Sequence, residues 1–137
     1  MSKARIKNTF DTELLSYGII SPLPSYALVA LINKTFRLDF KNIDDWIFDN
    51  SQERTVLHYT RYIAIDEVNE ISALCITNKE FNQLLFKKVK DADMILCLDS
   101  KMELDIQKLK IQNDIEFIYP LSNKLLKGIE FIWDSSF

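Results

Sequence analysis

The sequence predicts an α+β fold: an antiparallel or mixed β-sheet with about two helices packed on one face. Three observations predict it. Apolar segments of strand length recur along the chain, and several alternate apolar with polar residues. Only two stretches carry apolar residues at helical spacing behind a capping signal; one follows Ser21-Pro22-Leu23-Pro24-Ser25 and the other follows Ser100-Lys101-Met102-Glu103. Finally, the 137 residues hold no internal repeat, low-complexity tract or linker, so residues 1–137 are expected to form a single domain.

Residues 4–10 alternate, with Ala4, Ile6 and Phe10 on one side and Arg5, Lys7 and Thr9 on the other, the pattern of a half-buried strand. A polar turn at 11–13 leads into Leu14–Ile20, read as its antiparallel hairpin partner. Ser25 is placed to cap a helix from about Tyr26 to Phe36, whose stripe is Leu28, Leu31, Ile32 and Phe36. Tyr26, Val29 and Ala30 make its other side apolar as well, and Lys34 and Arg37 suit its C-terminal dipole. Leu38–Phe40 reads as a short extended piece. Asp45–Asp49, carrying Trp46, Ile47 and Phe48, is a strand, and 49–53 a loop. Thr55–Ile65 is the longest strand, with Leu57, Tyr59, Ile63 and Ile65 on one face and Val56, His58, Thr60, Tyr62 and Ala64 on the other. After a turn at 66–70 the chain returns as Ile71–Thr77.

Residues 78–92 fit no single pattern; 78–86 has the length of a short helix and 87–91 the charge of a solvated connection. Met94–Leu98 is a continuous apolar run, which predicts a strand in the middle of the sheet. Ser100 and Glu103 have the spacing of a capping box, predicting a helix to about Gln112 that buries Met102, Ile106 and Leu109 and closes at Asn113. Ile115–Tyr119 reads as a strand stopped by Pro120, and Ile129–Trp133 as a last edge strand. The predicted order is β-β-α-β-β-β-β-α-β.

Tyr26-Ala27-Leu28, Ile32-Asn33-Lys34-Thr35-Phe36-Arg37-Leu38 and Asp45, with Ile76-Thr77-Asn78-Lys79 further on, resemble the bacterial IPExxxVDY family. The segment aligned with that family's namesake motif, Phe86–Met94, departs from it: only Asp93 of the fixed letters is identical, and Lys87-Lys88 replaces the Pro-Glu pair. The resemblance implies a bacterial cytoplasmic protein and brings no catalytic residue with it.

Composition narrows the function classes. A net charge of −3 supplies no global field for nucleic acid or an anionic membrane. The first ten residues have no apolar run behind their basic residues, so they do not read as a signal peptide, and no stretch is long enough for a bilayer span. Cys75 and Cys97 sit in apolar segments, as reduced core residues of a cytoplasmic protein do. With only Gly18 and Gly128, a glycine-rich phosphate loop cannot be built. No cofactor is expected.

Candidate chemistry is sparse. His58 is the one histidine, which excludes most zinc sites built on paired imidazoles; as a general base it would act beside Tyr59 or a carboxylate from the next strand, and a polar residue on the wetter face of the strand is the plainer reading. The carboxylate sets are Asp44-Asp45, Asp66-Glu67 with Glu70, and Asp91, Asp93 and Asp99; each lies at a predicted turn or strand end, where capping and solvation account for it. Arg5, Lys7, Lys87 and Lys88 form the basic face that an RNA-associated accessory protein would use, the alternative reading; a metal–carboxylate enzyme is a weaker one.

The signal that remains is apolar excess. One sheet face covers one side of the first helix, and the other side needs a cover, either the chain's own C-terminal segment or another protein. The sequence therefore reads as a non-catalytic protein-interaction module, a homodimer or an adaptor for a protein partner. Tyr26, Leu28, Val29, Trp46 and Trp133 are its expected contacts, on the first helix or a strand edge.

Overall fold

The computed structural model describes residues 13–50 and 55–137. Its strands are β1 (Leu14–Ile20), β2 (Lys41–Asn50), β3 (Thr55–Asp66), β4 (Ile71–Thr77), β5 (Lys79–Glu80), β6 (Gln83–Leu84), β7 (Met94–Asp99) and β8 (Phe117–Leu121). Its helices are α1 (Ser25–Phe36), α2 (Gln107–Lys110) and α3 (Ile129–Ser136). Six strands form one sheet in the order β2-β3-β4-β7-β1-β8, while β5 and β6 make a small hairpin of their own. Every pairing in the large sheet is antiparallel.

Burial on both faces explains the sequence of the middle strands. All of β7 is buried between β4 and β1, so its side chains need not alternate. One face carries Tyr62, Ala64, Ala73, Cys75, Met94, Leu96 and Leu98, and packs against Leu28, Val29 and Ile32 of α1 and Leu109 of α2. The two helices predicted from the sequence thus lie on the same face. Each fully buried aliphatic side chain of α1 contributes about 1.5–3 kcal/mol to that layer. The opposite face carries Tyr59, Leu74, Ile76, Ile95 and Cys97, covered by Phe86, Val89, Leu126 and by Ile129, Ile132 and Trp133 of α3.

The structure corrects several local expectations. Ile129–Trp133 is helical, not an edge strand: Gly128 takes φ 87° ahead of it, and Ile129, Ile132, Trp133 and Ser136 then fall on one buried stripe. The Ser100/Glu103 capping box does not form. Asp99 ends β7 and its Oδ1 accepts a hydrogen bond from Lys101 N, which turns the chain and shortens the helix to Gln107–Lys110. At α1 the cap position falls on Pro24; the Ser25 hydroxyl lies 3.1 Å from the Tyr62 hydroxyl instead of the helix amides. Residues 78–86 hold the β5–β6 hairpin, with Phe81 and Asn82 both left-handed at its tip. Pro120 lies within β8, where its missing N–H is tolerated because β8 is an edge strand among the described residues. The predicted strand at 4–10 lies outside the described residues, and β1 pairs with β7 and β8.

Two polar residues hold the loops to this frame. Asn78 is fully buried; its Nδ2 donates to Val89 O at 2.7 Å and Ala92 O at 3.0 Å, while Phe86 N donates to its Oδ1 at 2.9 Å. Asn33 does the same for the α1–β2 connection, accepting from Phe40 N at 2.7 Å and donating to Phe40 O at 3.3 Å.

Candidate functional site

One cluster of partly uncovered apolar side chains lies where β2 and β3 outrun the sheet, although Val68, Phe81 and Ile111 are individually more exposed elsewhere. Strand β3 has 12 residues, yet only Arg61–Asp66 pair with β4. Among the described residues, Trp46–Asn50 and Thr55–Tyr59 pair only with each other, as a two-stranded ribbon. Strand β2 is also the end of the sheet; among the described residues no strand pairs with its outer edge.

The ribbon is apolar on both sides. Cross-strand partners share a face, so Trp46 with Tyr59 and Phe48 with Leu57 form the side toward α3, while Ile47 with His58 and Asp49 with Val56 form the other. An edge ribbon normally sheds water with one face and meets it with the other. Here Ile47 is 56 % exposed, Phe48 42 % and Val56 54 %, so hydrophobic surface faces solvent on both sides.

The base of the ribbon is fixed. Arg61 is buried, with Nε donating to Asp44 O at 2.9 Å, and Nη1 donating to Ser135 Oγ at 2.8 Å and Ser136 Oγ at 3.0 Å. Burial pulls the guanidinium below its usual pKa, opposed by Asp44 and Asp45. The bulge between Ile43 and Trp46 turns the Asp44 carbonyl toward it. Tyr59 donates its hydroxyl to Gln83 O at 3.2 Å; burial, reinforced by Glu80, pushes the phenol's pKa up and keeps it a donor. His58 Nδ1 lies 3.6 Å from Asp45 Oδ2, with both side chains open to solvent.

The expected contact residues do not converge. Leu28 and Val29 are buried against the sheet and Trp133 is buried on its opposite face, so in the folded chain none of the three is an exposed anchor; on the second side of α1 Val29 is covered while Ala30 stays exposed. Tyr26 is exposed at the start of α1, and Trp46 is half-buried on the opposite face of the sheet. Arg5 and Lys7 lie outside the described residues; Lys87 and Lys88 are exposed in the β6–β7 connection. The residues missed, Ile47, Phe48 and Val56, had one readable signal: adjacent apolar side chains on strands already assigned, which alternation cannot bury together.

A cleft of ≈ 470 Å³ lies between the start of α1, the middle of β3 at Thr60 and the end of β4 at Thr77. Of its charged side chains Lys79 and Asp93 pair, and Glu80 also lines it. Lys79 Nζ lies 3.3 Å from Asp93 Oδ1, and Asp93 Oδ2 accepts from Ser21 N at 3.0 Å. Among the described residues no three His, Cys, Asp or Glu side chains converge as metal ligands. Cys75 and Cys97 are buried free thiols on opposite faces of the sheet. Among the described residues no helix is long and apolar enough to cross a membrane.

No family model matches this chain, and no curated protein or solved structure does either.

Proposed function

We propose that this chain is a non-catalytic protein-interaction module whose contact is the β2–β3 ribbon. One observation carries the reading: the sheet ends in a strand with an unpaired outer edge among the described residues, flanked by exposed Ile47, Phe48 and Val56. An edge strand of this kind is a template for another backbone, and natural proteins usually blunt it with charge, proline or a cover. The anchoring of Arg61 and Tyr59 supports the reading further, since a pre-ordered edge binds without first losing chain entropy. The resemblance to the IPExxxVDY family belongs to the same proposal and adds no catalytic role.

The test is site-specific photo-crosslinking in the source cells, with a benzophenone side chain at position 47, at position 56 or, as a control, at exposed Ile111. The reading expects one discrete protein adduct from positions 47 and 56, resistant to nuclease and absent from position 111. Equal labelling from all three positions would sink it. Adducts that vanish with nuclease would favour the nucleic-acid alternative through Lys87 and Lys88.

A further inference from the structure

Resting on that reading, we infer that the occupant of the β2 edge is an extended peptide strand carrying two basic residues four apart with apolar residues between them. The register dictates this pattern. Asp45, Ile47 and Asp49 lie on one face of β2: Ile47 and Asp49 by their pairing with His58 and Val56, and Asp45 by its contact with the His58 ring. Trp46 and Phe48 lie on the other face. A strand added to the edge alternates its side chains in the same way. Two lysines or arginines at positions i and i+4 meet Asp45 and Asp49, and the residue midway between them meets Ile47. The two residues between those three fall beside Trp46 and Phe48.

Charge also decides against a second copy of β2 as the occupant. The strand carries Asp44, Asp45 and Asp49 against Lys41 alone, and Lys41 Nζ is engaged 3.5 Å from Asp39 Oδ2. Pairing β2 with itself would bring six carboxylates to a seam holding two ammonium groups. Like charges across a strand pair destabilise it, whereas opposite ones select partner and register.

The probe is a short acetylated, fluorescein-labelled peptide centred on Lys-Val-Val-Val-Lys, titrated into the full chain by fluorescence anisotropy. One control replaces both lysines by glutamate. A second, Val-Lys-Val-Lys-Val, keeps the charge and apolar character but moves the lysines to the Trp46 and Phe48 side. The inference expects the first peptide to bind about tenfold more tightly than either control, with the advantage shrinking in high salt. Asp49→Lys, verified as folded by circular dichroism, should abolish that preference. If all three peptides bind alike and Ile47→Lys weakens them equally, charge selection is overturned while the ribbon remains a docking site. If none binds, the inference is overturned, and the reading beneath it is then judged by crosslinking at positions 47 and 56 alone.

Discussion

The guanidinium of Arg61 lies over the ring of Trp46, 5.6 Å from its centroid, and the same cation donates to Ser135 and Ser136 at the end of α3. One side chain from β3 therefore ties the outermost strand to the C-terminal helix through the buried side of the sheet.

Replacing Arg61 tests how much of the ribbon's order depends on that tie. Arg61→Lys keeps the charge but cannot reproduce a fork that reaches Asp44 O and two hydroxyls together. A loss of about 2–3 kcal/mol is expected in urea unfolding, with faster amide exchange in β2 than in β7. A variant as stable as the parent would show that the hydroxyls and carbonyl are equally well solvated without it.

Gly18 faces Tyr119 across the β1–β8 pair, and a Cβ at position 18 would sit 2.8 Å from the tyrosine Cζ. Gly18→Ala must push that ring aside, at a cost of about 1–3 kcal/mol. Combining Gly18→Ala with Tyr119→Ala should recover part of the loss in a double-mutant cycle. Strict additivity would place the cost in the backbone and not in the ring.

Arg37 ends α1 in the left-handed conformation, φ 55°, with its N–H donating to Asn33 O. An L side chain is disfavoured there and glycine is not. Arg37→Gly is expected to stabilise the protein by about 0.5–1 kcal/mol, raising Tm by a few degrees.

The two thiols set an alkaline limit. Burial pushes Cys97 up to about 12, moderated by the Ser16 hydroxyl, and raises Cys75 well above its ordinary value, with Cys97 adding to the shift. In the unfolded chain both ionise near 9, so above that pH the folded state holds protons the unfolded state has released. The thiol contribution to stability is thus complete below pH 9 and is lost as pH climbs above it, for Cys97 up to about 12. Thiol-exchange reagents at pH 8 should label neither cysteine until the protein is unfolded.

The sheet was legible wherever burial imposed a simple pattern on the sequence. Alternation in β3, the unbroken apolar run of β7 and the stripe of α1 each correspond to a layer with a defined face. The segment Ile129–Trp133 was misread because isoleucine, phenylalanine and tryptophan favour strands, while the stripe that makes it helical is completed only by Ser136. The capping box failed because Asp99, belonging to the preceding strand, captured the turn first. Of the candidate site only Trp46 and the idea of a strand edge were visible. Which strand ends the sheet depends on pairings between distant segments, and local periodicity does not encode them.

That strand order also constrains how the chain acquires its shape. Strand β1 lies between β7 and β8, so its neighbours leave the ribosome roughly 75–105 residues after it does. Until then, among the described residues, Leu14–Ile20 has no ladder to join, whereas β2, β3 and β4 can zip as a local meander. Sequence separation therefore predicts that the meander forms early, that β7 extends it and that β1 is added late. An apolar segment is then left waiting while the residues up to β7 are made, the interval in which a nascent chain most needs a chaperone's shelter.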